Sequence, residues 1–279
     1  MKLSLHIFLF MISISLFGAP PPVKLKIDRP FPLGFRSVEE AQITMENTRI
    51  HDGHLIDSRH RRYEILYHSH IIARAPFGWK ARNITIQKLH LEPAPKGYNP
   101  SRLVGVSLKL TRQRGKPVIC QRRDGKPLRP WETEFLTLFF PLPEKMNPDI
   151  FDPPHPVSPG AKWTIPQTSL KPLLQPLLSA EPGQRLSRFA AEMRYFRTVS
   201  IGKTSCYQIG GLVTFQLHSA DSSRHSTVSL TLGLDLPVDQ EQPPRRLYRL
   251  LQTEISRDRQ GHRLILRQVI EHELRITPQ

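Results

Sequence analysis

Branched and aromatic side chains alternate with polar ones along much of the chain. "VSLTLGLDL" (228–236) is the clearest case, since every second position is Val or Leu. Successive side chains of a pleated strand point to opposite faces, so a period of two predicts strands with one apolar face and one wetted face. Such strands are typical of antiparallel sheets. The same alternation recurs at residues 63–72, 103–111, 206–217 and 263–276.

Two segments have helical spacing instead. Ser37 and Glu40 match the Ser-x-x-Glu capping box, which predicts a helix over residues 37–49. Leucines spaced three and four apart predict a second helix over residues 169–180, short or bent because Pro176 interrupts it. The chain is therefore expected to be mainly β, from all-β to α+β, with few short helices.

Prolines divide the chain into blocks. Residues 20–35 form an extended, proline-rich lead-in, and residues 141–163 form a stiff proline-rich connector, because proline neither donates to a ladder nor continues a helix. The connector separates a first β-rich domain at 36–140 from a second at 164–279. Each domain is expected to be one antiparallel curved-sheet unit.

The first residues have the composition of a secretory signal peptide over 1–19. Lys2 precedes an apolar run from Leu3 to Phe17, and Gly18 and Ala19 supply small residues for cleavage. A membrane span takes about 20 apolar residues, so the run is short for one. We expect a secreted or periplasmic protein that is not an integral membrane protein once the signal is cleaved; an uncleaved anchor is the alternative.

Charge narrows the expected partners. The formal net charge of +16 predicts attraction to anionic envelope surfaces such as acidic lipids. The alternative, which the lack of a dense Lys/Arg block favours, is that the basic residues are dispersed over the surface for solubility. Nucleic acid is not an expected partner, because no dense Lys/Arg block and no recognition motif occurs. The expected binding partner is therefore a lipid or a protein of the cell envelope.

The signal, the two β-rich halves and the segment "PVSPGAKW" (156–163) resemble certain exported bacterial proteins of unknown function. The resemblance implies domains built as curved antiparallel sheets with a helix, as in carriers that shuttle lipoproteins. It also implies residence in the cell envelope. It implies no known reaction and assigns no functional residue.

Histidines offer the sharpest chemical signal. His68 and His70 lie one residue apart in a predicted strand, so both side chains share a face. Zinc needs at least one more protein ligand, for which His54 is our choice, with His51 and His60 nearby in sequence. The alternative is that these are solvated or hydrogen-bonded histidines, since the chain has 12 of them.

Two cysteines, Cys120 and Cys206, are the whole complement of the chain. In an exported protein they could form a disulfide. Two buried free thiols are the equally weighted alternative. The paired glycines Gly210 and Gly211 fall inside a predicted strand, where glycine marks a bulge or a close approach of the backbone.

Motifs for catalysis are missing from the sequence. There is no Gly-x-Ser-x-Gly elbow, no phosphate-binding glycine loop and no dinucleotide fingerprint, so we assign no catalytic residue and no cofactor besides the zinc considered above. Three hypotheses follow. The first is a non-enzymatic exported β-protein that binds a lipid or another envelope component; the second is a structural or assembly module contacting an envelope protein. The third is a metal-dependent hydrolase that uses His68 and His70.

Overall fold

A computed structural model shows strands along most of the chain. It describes residues 20–27, 29, 31–74, 79–94, 99–112, 118–140, 151–170, 185–218, 224–259 and 262–279. The expected signal peptide (1–19), part of the connector (141–150) and most of the helix expected over 169–180 lie outside the described residues.

Eleven strands form one antiparallel sheet. In chain order they are β1 (Arg36–His51), β2 (His54–Arg74), β3 (Trp79–Glu92), β4 (Ser107–Thr111), β5 (Ile119–Arg122), β6 (Lys162–Thr164), β7 (Arg185–Ile201), β8 (Thr204–His218), β9 (Arg224–Pro237), β10 (Arg246–Arg259) and β11 (His262–Pro278). Their order across the sheet is β5-β4-β3-β2-β1-β11-β10-β9-β8-β7-β6. The prediction of a mainly β fold is confirmed.

The first and the last strands meet in the middle of the sheet. β1 pairs with β11 from Ser37 opposite Pro278 to His51 opposite Leu264. The two β-rich halves are therefore parts of one continuous sheet, and each half carries its own apolar core. The domain boundaries expected from the prolines stay predictions.

Both cores lie on the same face of the sheet, which we call the covered face; the opposite face is the open face. In β2 the covered face takes Tyr63, Ile65, Tyr67 and Ile71, each at most 5% exposed. These are the positions that the alternation predicted to be buried. Residues paired across neighbouring strands share a face of the sheet, so the covered face can be followed from β1 through β11, β10 and β9 to β8. On β8 this face carries Ile209 and Phe215, which are buried in the second core.

A short helix covers the first core. α1 (Pro130–Phe139) packs Phe135, Leu136 and Phe139 against the sheet, and the 3₁₀ helix Pro100–Leu103 adds Leu103. Sequence patterns did not reveal α1.

The lead-in covers the second core. Val23 forms an isolated bridge with Val157, and Leu25 and Ile27 are buried in the second cluster. The backbone N–H of Ile27 donates to the Asp152 carboxylate at 2.6 Å. The segment before β1 is thus fastened to the second half of the chain.

The helix predicted over 37–49 is wrong, because these residues lie within β1. The Ser37 hydroxyl donates to the Glu39 carboxylate rather than capping a helix. Ser37 and Glu39 occupy covered-face positions, so the apolar alternation of this strand is broken in the sequence. Pairing with β2 and β11 on both sides outweighs the local helical preference.

Among the described residues, the helices are all too short or too polar to cross a bilayer.

Candidate functional site

A groove with a volume of about 570 Å³ crosses the open face of β7, β8, β9 and β10. That volume falls in the range of about 300–1,000 Å³ found for small-molecule sites. Its lining includes Arg194, Phe196, Leu212, Arg246 and Tyr248. Because these side chains point away from the second core, the core can stay packed whether or not the groove is filled.

Two glycines in the floor make room for two aromatic rings. A Cβ at Gly210 would lie 2.5 Å from Cε2 of Phe196, and a Cβ at Gly233 would lie 3.3 Å from Cβ of Tyr248. A β-bulge in β7 at Phe196 leaves this residue without a partner on β8. Bulges re-aim side chains, and here the ring lies over Gly210. At the paired glycines the nearest atoms belong to side chains, Phe196 at Gly210 and Met193 at Gly211, rather than to the backbone that the sequence led us to expect.

Two arginines stand over the rings. Cζ of Arg194 is 5.3 Å from the ring centroid of Phe196, and Cζ of Arg246 is 5.8 Å from that of Tyr248. Both distances allow a cation–π attraction. A guanidinium group thus lies near each ring, while Phe196 stays 47% exposed, and the groove combines an apolar floor with a basic rim.

The carboxylates near the rim already have cationic partners. Glu192 pairs with Lys162 at 2.9 Å, and Glu273 accepts from Arg246 at 2.8 Å. Within the described residues, Arg194 forms no ion pair. Its guanidinium is therefore the charge at this groove that is best placed to receive an anionic group.

Asp235 closes one end of the groove and is only 5% exposed. Burial raises the pKa of its carboxyl, against the opposing effect of Arg246. This end of the groove is the poorly hydrated one. An uncharged part of a ligand fits there better than a second anion.

A second group of polar side chains, a buried hydrogen-bond network, lies inside the first core. The Glu39 carboxylate accepts from the Tyr67 hydroxyl at 2.7 Å, from Nη1 of Arg82 at 2.9 Å and from the Ser37 hydroxyl at 2.9 Å. Glu39 is 0% and Arg82 is 4% exposed. Because its members are buried and come from three neighbouring strands, we assign this network to holding β1, β2 and β3 together.

Burial and charge pairing shift the pKa values of the residues in this network in opposite directions. Burial alone would raise the pKa of Glu39, but Arg82, with the hydrogen bonds from Tyr67 and Ser37, lowers it below its usual range. Burial alone would lower the pKa of Arg82, but Tyr67 and Glu39 raise it. The ion pair is therefore maintained at neutral pH.

The structure does not bring together the three histidines proposed as zinc ligands. His68 and His70 share the open face of β2, as the alternation predicted, and Nδ1 of His68 is 3.1 Å from the Gln279 side-chain amide. His54 opens the same strand, and fourteen residues at about 3.3 Å each put it about 46 Å from His68. It lies instead opposite His51 in the β1–β2 hairpin. Within the part of the chain that the structure describes, no third ligand lies beside His68 and His70, and zinc there stays a prediction.

The two cysteines are free in the structure. Cys120 lies in the edge strand β5 and Cys206 in β8, with seven strands between them. Burial raises the pKa of Cys120 to about 11 and also raises that of Cys206. Neither thiol has the low pKa of a reactive cysteine.

Comparisons with known proteins leave the family open. No protein-family model matches the chain, and no curated protein matches it. Among solved structures, a LolA superfamily protein from Nitrosomonas europaea is 9% identical over 85% of each chain, with a TM-score of 0.12. A likeness at that TM-score carries no argument about function, which must come from the groove.

Proposed function

We propose that this protein is a non-enzymatic binding protein for a lipid or similar amphiphile with an acidic head group, acting in the cell envelope. The observation that carries the proposal is the groove on β7–β10, in which aromatic and aliphatic side chains form the floor and Arg194 stands at the rim. An apolar chain and an anionic head would each find a matching surface there.

The apolar part of the ligand would lie over Phe196, Leu212 and Tyr248. Phe196 and Leu212 are both 47% exposed, an unusual state for large apolar side chains that lie close together. Covering them removes apolar surface from water, at about 0.8 kcal/mol for each buried CH₂ group. This gain would drive binding without any chemical step.

Charge would bring the ligand to the groove. The net charge of +16 draws the protein toward anionic surfaces, and Arg194 offers the head group a charge-assisted hydrogen bond. The expected signal peptide supports the same setting, since export would place the groove among envelope lipids.

The alternative of an assembly module that pairs through sheet edges has weaker support. The edge strands β5 and β6 span only four and three residues. Such short edges offer few backbone groups for another strand.

The test is direct binding of a dansyl-labelled fatty acid to the purified full chain. We expect fluorescence enhancement with the wild-type protein, and a loss of affinity of about tenfold or more in Leu212→Glu, because the new carboxylate would lie under the acyl chain. Ile201→Glu is the matched control: Ile201 is 38% exposed at the end of β7, outside the groove lining. This control should keep wild-type affinity.

A charge reversal at Arg194 distinguishes the contribution of the ligand's head group to binding from that of its acyl chain. Arg194→Glu should weaken binding of the fatty acid but leave binding of the corresponding uncharged fatty alcohol nearly unchanged. The proposal fails if the wild-type protein does not bind the probe, or if Leu212→Glu and Ile201→Glu bind it equally well.

A further inference from the structure

We infer that His51, Asp52 and His262 bind a divalent transition-metal ion such as Zn²⁺ where the β1–β2 turn meets the start of β11. Their ligand atoms all lie within 4.8 Å of one another. This site is distinct from the groove and from the His68–His70 pair.

Asp52 is held in place by the neighbouring hairpin. Its backbone N–H donates to the carbonyl of Arg263 at 2.9 Å, and its Oδ1 accepts from the backbone N–H of Arg263 at 2.7 Å. Asp52 also has a φ of 49°, the left-handed conformation that Asp tolerates in tight turns. The carboxylate is thus oriented before any metal arrives, with Oδ2 turned to the histidines.

Both imidazoles approach the same carboxylate oxygen. Nδ1 of His262 lies 2.9 Å from Oδ2, and Nδ1 of His51 lies 3.6 Å from it. The two rings are stacked, with centroids 5.7 Å apart and planes 19° from parallel. Ligand atoms of a tetrahedral zinc ion with bonds of about 2.0–2.1 Å are about 3.3 Å apart, and the observed distances lie on either side of that value.

His54 lies on the other strand of the same hairpin but is not part of the group whose ligand atoms lie within 4.8 Å of one another. It lies directly opposite His51 in the β1–β2 register, and residues opposite each other point to the same face. The two imidazoles and one carboxylate of the site suit Zn²⁺, Ni²⁺ or Cu²⁺ better than Mg²⁺ or Ca²⁺, which prefer oxygen ligands.

A metal here would fasten two hairpins that are distant in the chain. Residues 51–62 are exposed, so little packing holds the ends of β1 and β2 in place. A metal ion that bridges Asp52 and His262 would stabilise the exposed end of the β1–β2 hairpin, because the ion binds only the folded arrangement.

Isothermal titration with Zn²⁺ alone, on metal-free full-length protein, tests the inference. We expect one equivalent to bind, with affinity reduced at least about tenfold in His262→Ala and in Asp52→Asn. Asp52→Asn retains the oxygen that accepts from Arg263 and tolerates the same backbone conformation, so the turn should remain folded. Zn²⁺ should also raise the melting temperature of the wild-type protein, and raise that of each variant by clearly less at the same Zn²⁺ concentration.

Two control variants locate the binding. His218 and His225 form another stacked pair, at 6.4 Å, on the β8–β9 hairpin, and the double variant His218→Ala/His225→Ala should bind Zn²⁺ as the wild type does. So should His68→Ala/His70→Ala. The inference is overturned if the wild-type protein takes up no Zn²⁺, if His262→Ala binds it unchanged, or if affinity is lost in His68→Ala/His70→Ala instead.

Discussion

Replacing Glu39 by Gln is expected to lower the free energy of unfolding by about 3–5 kcal/mol, the usual cost of removing one partner from a buried ion pair. Arg82 would then be a buried cation without its counter-charge, only 4% exposed. The neighbouring rings of Trp79 and Phe140, 4.5 and 4.8 Å from the guanidinium carbon, offset part of this loss. Urea denaturation at pH 7 measures the change.

Glu40→Gln is the matched control, because Glu40 is exposed on the open face of the same strand and should change stability by no more than about 0.5 kcal/mol. Replacing both partners, as Glu39→Leu with Arg82→Met, should cost less than Glu39→Gln alone, since no unpaired charge remains. Equal stability of Glu39→Gln and Glu40→Gln would show that the ion pair does not hold the strands together.

The effect of Glu39→Gln should also depend on pH. The folded protein holds the pKa of Glu39 below its ordinary value of 4.5. The stabilisation is therefore complete above about pH 4.5 and is lost as pH falls through the lower, folded pKa. The stability difference between wild type and variant should be constant near neutral pH and shrink in acid; a constant difference down to pH 2 would contradict this.

Acidification from pH 6.5 to 4 is expected to cost the wild-type protein about 2.5 kcal/mol through His272. Burial, with a further contribution from Arg249, lowers the pKa of this imidazole from 6.5 to about 4. Across that interval the unfolded chain binds a proton that the folded protein does not, so stability falls as pH falls. Urea denaturation at half-unit steps of pH measures the slope.

Two variants test this assignment. His272→Gln should remove the slope between pH 6.5 and 5, because glutamine does not titrate and Glu39 begins to contribute only at lower pH. Arg249→Gln should reduce the slope without removing it, since Arg249, opposite His272 in the β10–β11 register, is the second cause of the low pKa. An unchanged slope in His272→Gln would assign the acid sensitivity to other groups.

The alternation of apolar residues predicted the strands well where one face is uniformly apolar. In β2 the buried Tyr63, Ile65, Tyr67 and Ile71 are the ones that the pattern placed inside. In β1 the same reasoning failed, because Ser37 and Glu39 occupy buried positions. A polar residue can be buried there only because Tyr67 and Arg82 reach it from the next two strands, and local sequence carries no sign of that contact.

The groove and the cluster of His51, Asp52 and His262 could not be predicted from the sequence for a similar reason. The sequence indicated a close approach at Gly210 and Gly211, but the bulge that turns Phe196 over Gly210 is visible only in the register of β7 on β8. His51 and His262 are separated by most of the chain and meet because β1 pairs with β11.

By itself the sequence determined that the chain forms antiparallel strands with one buried face, because a period of two is a local property that each strand carries alone. Only the tertiary structure decided that both halves join in one sheet, that Glu39 can be buried, and which rings, arginines and histidines become neighbours. Those outcomes depend on pairing between distant strands, where the hydrogen-bond register sets which side chains meet.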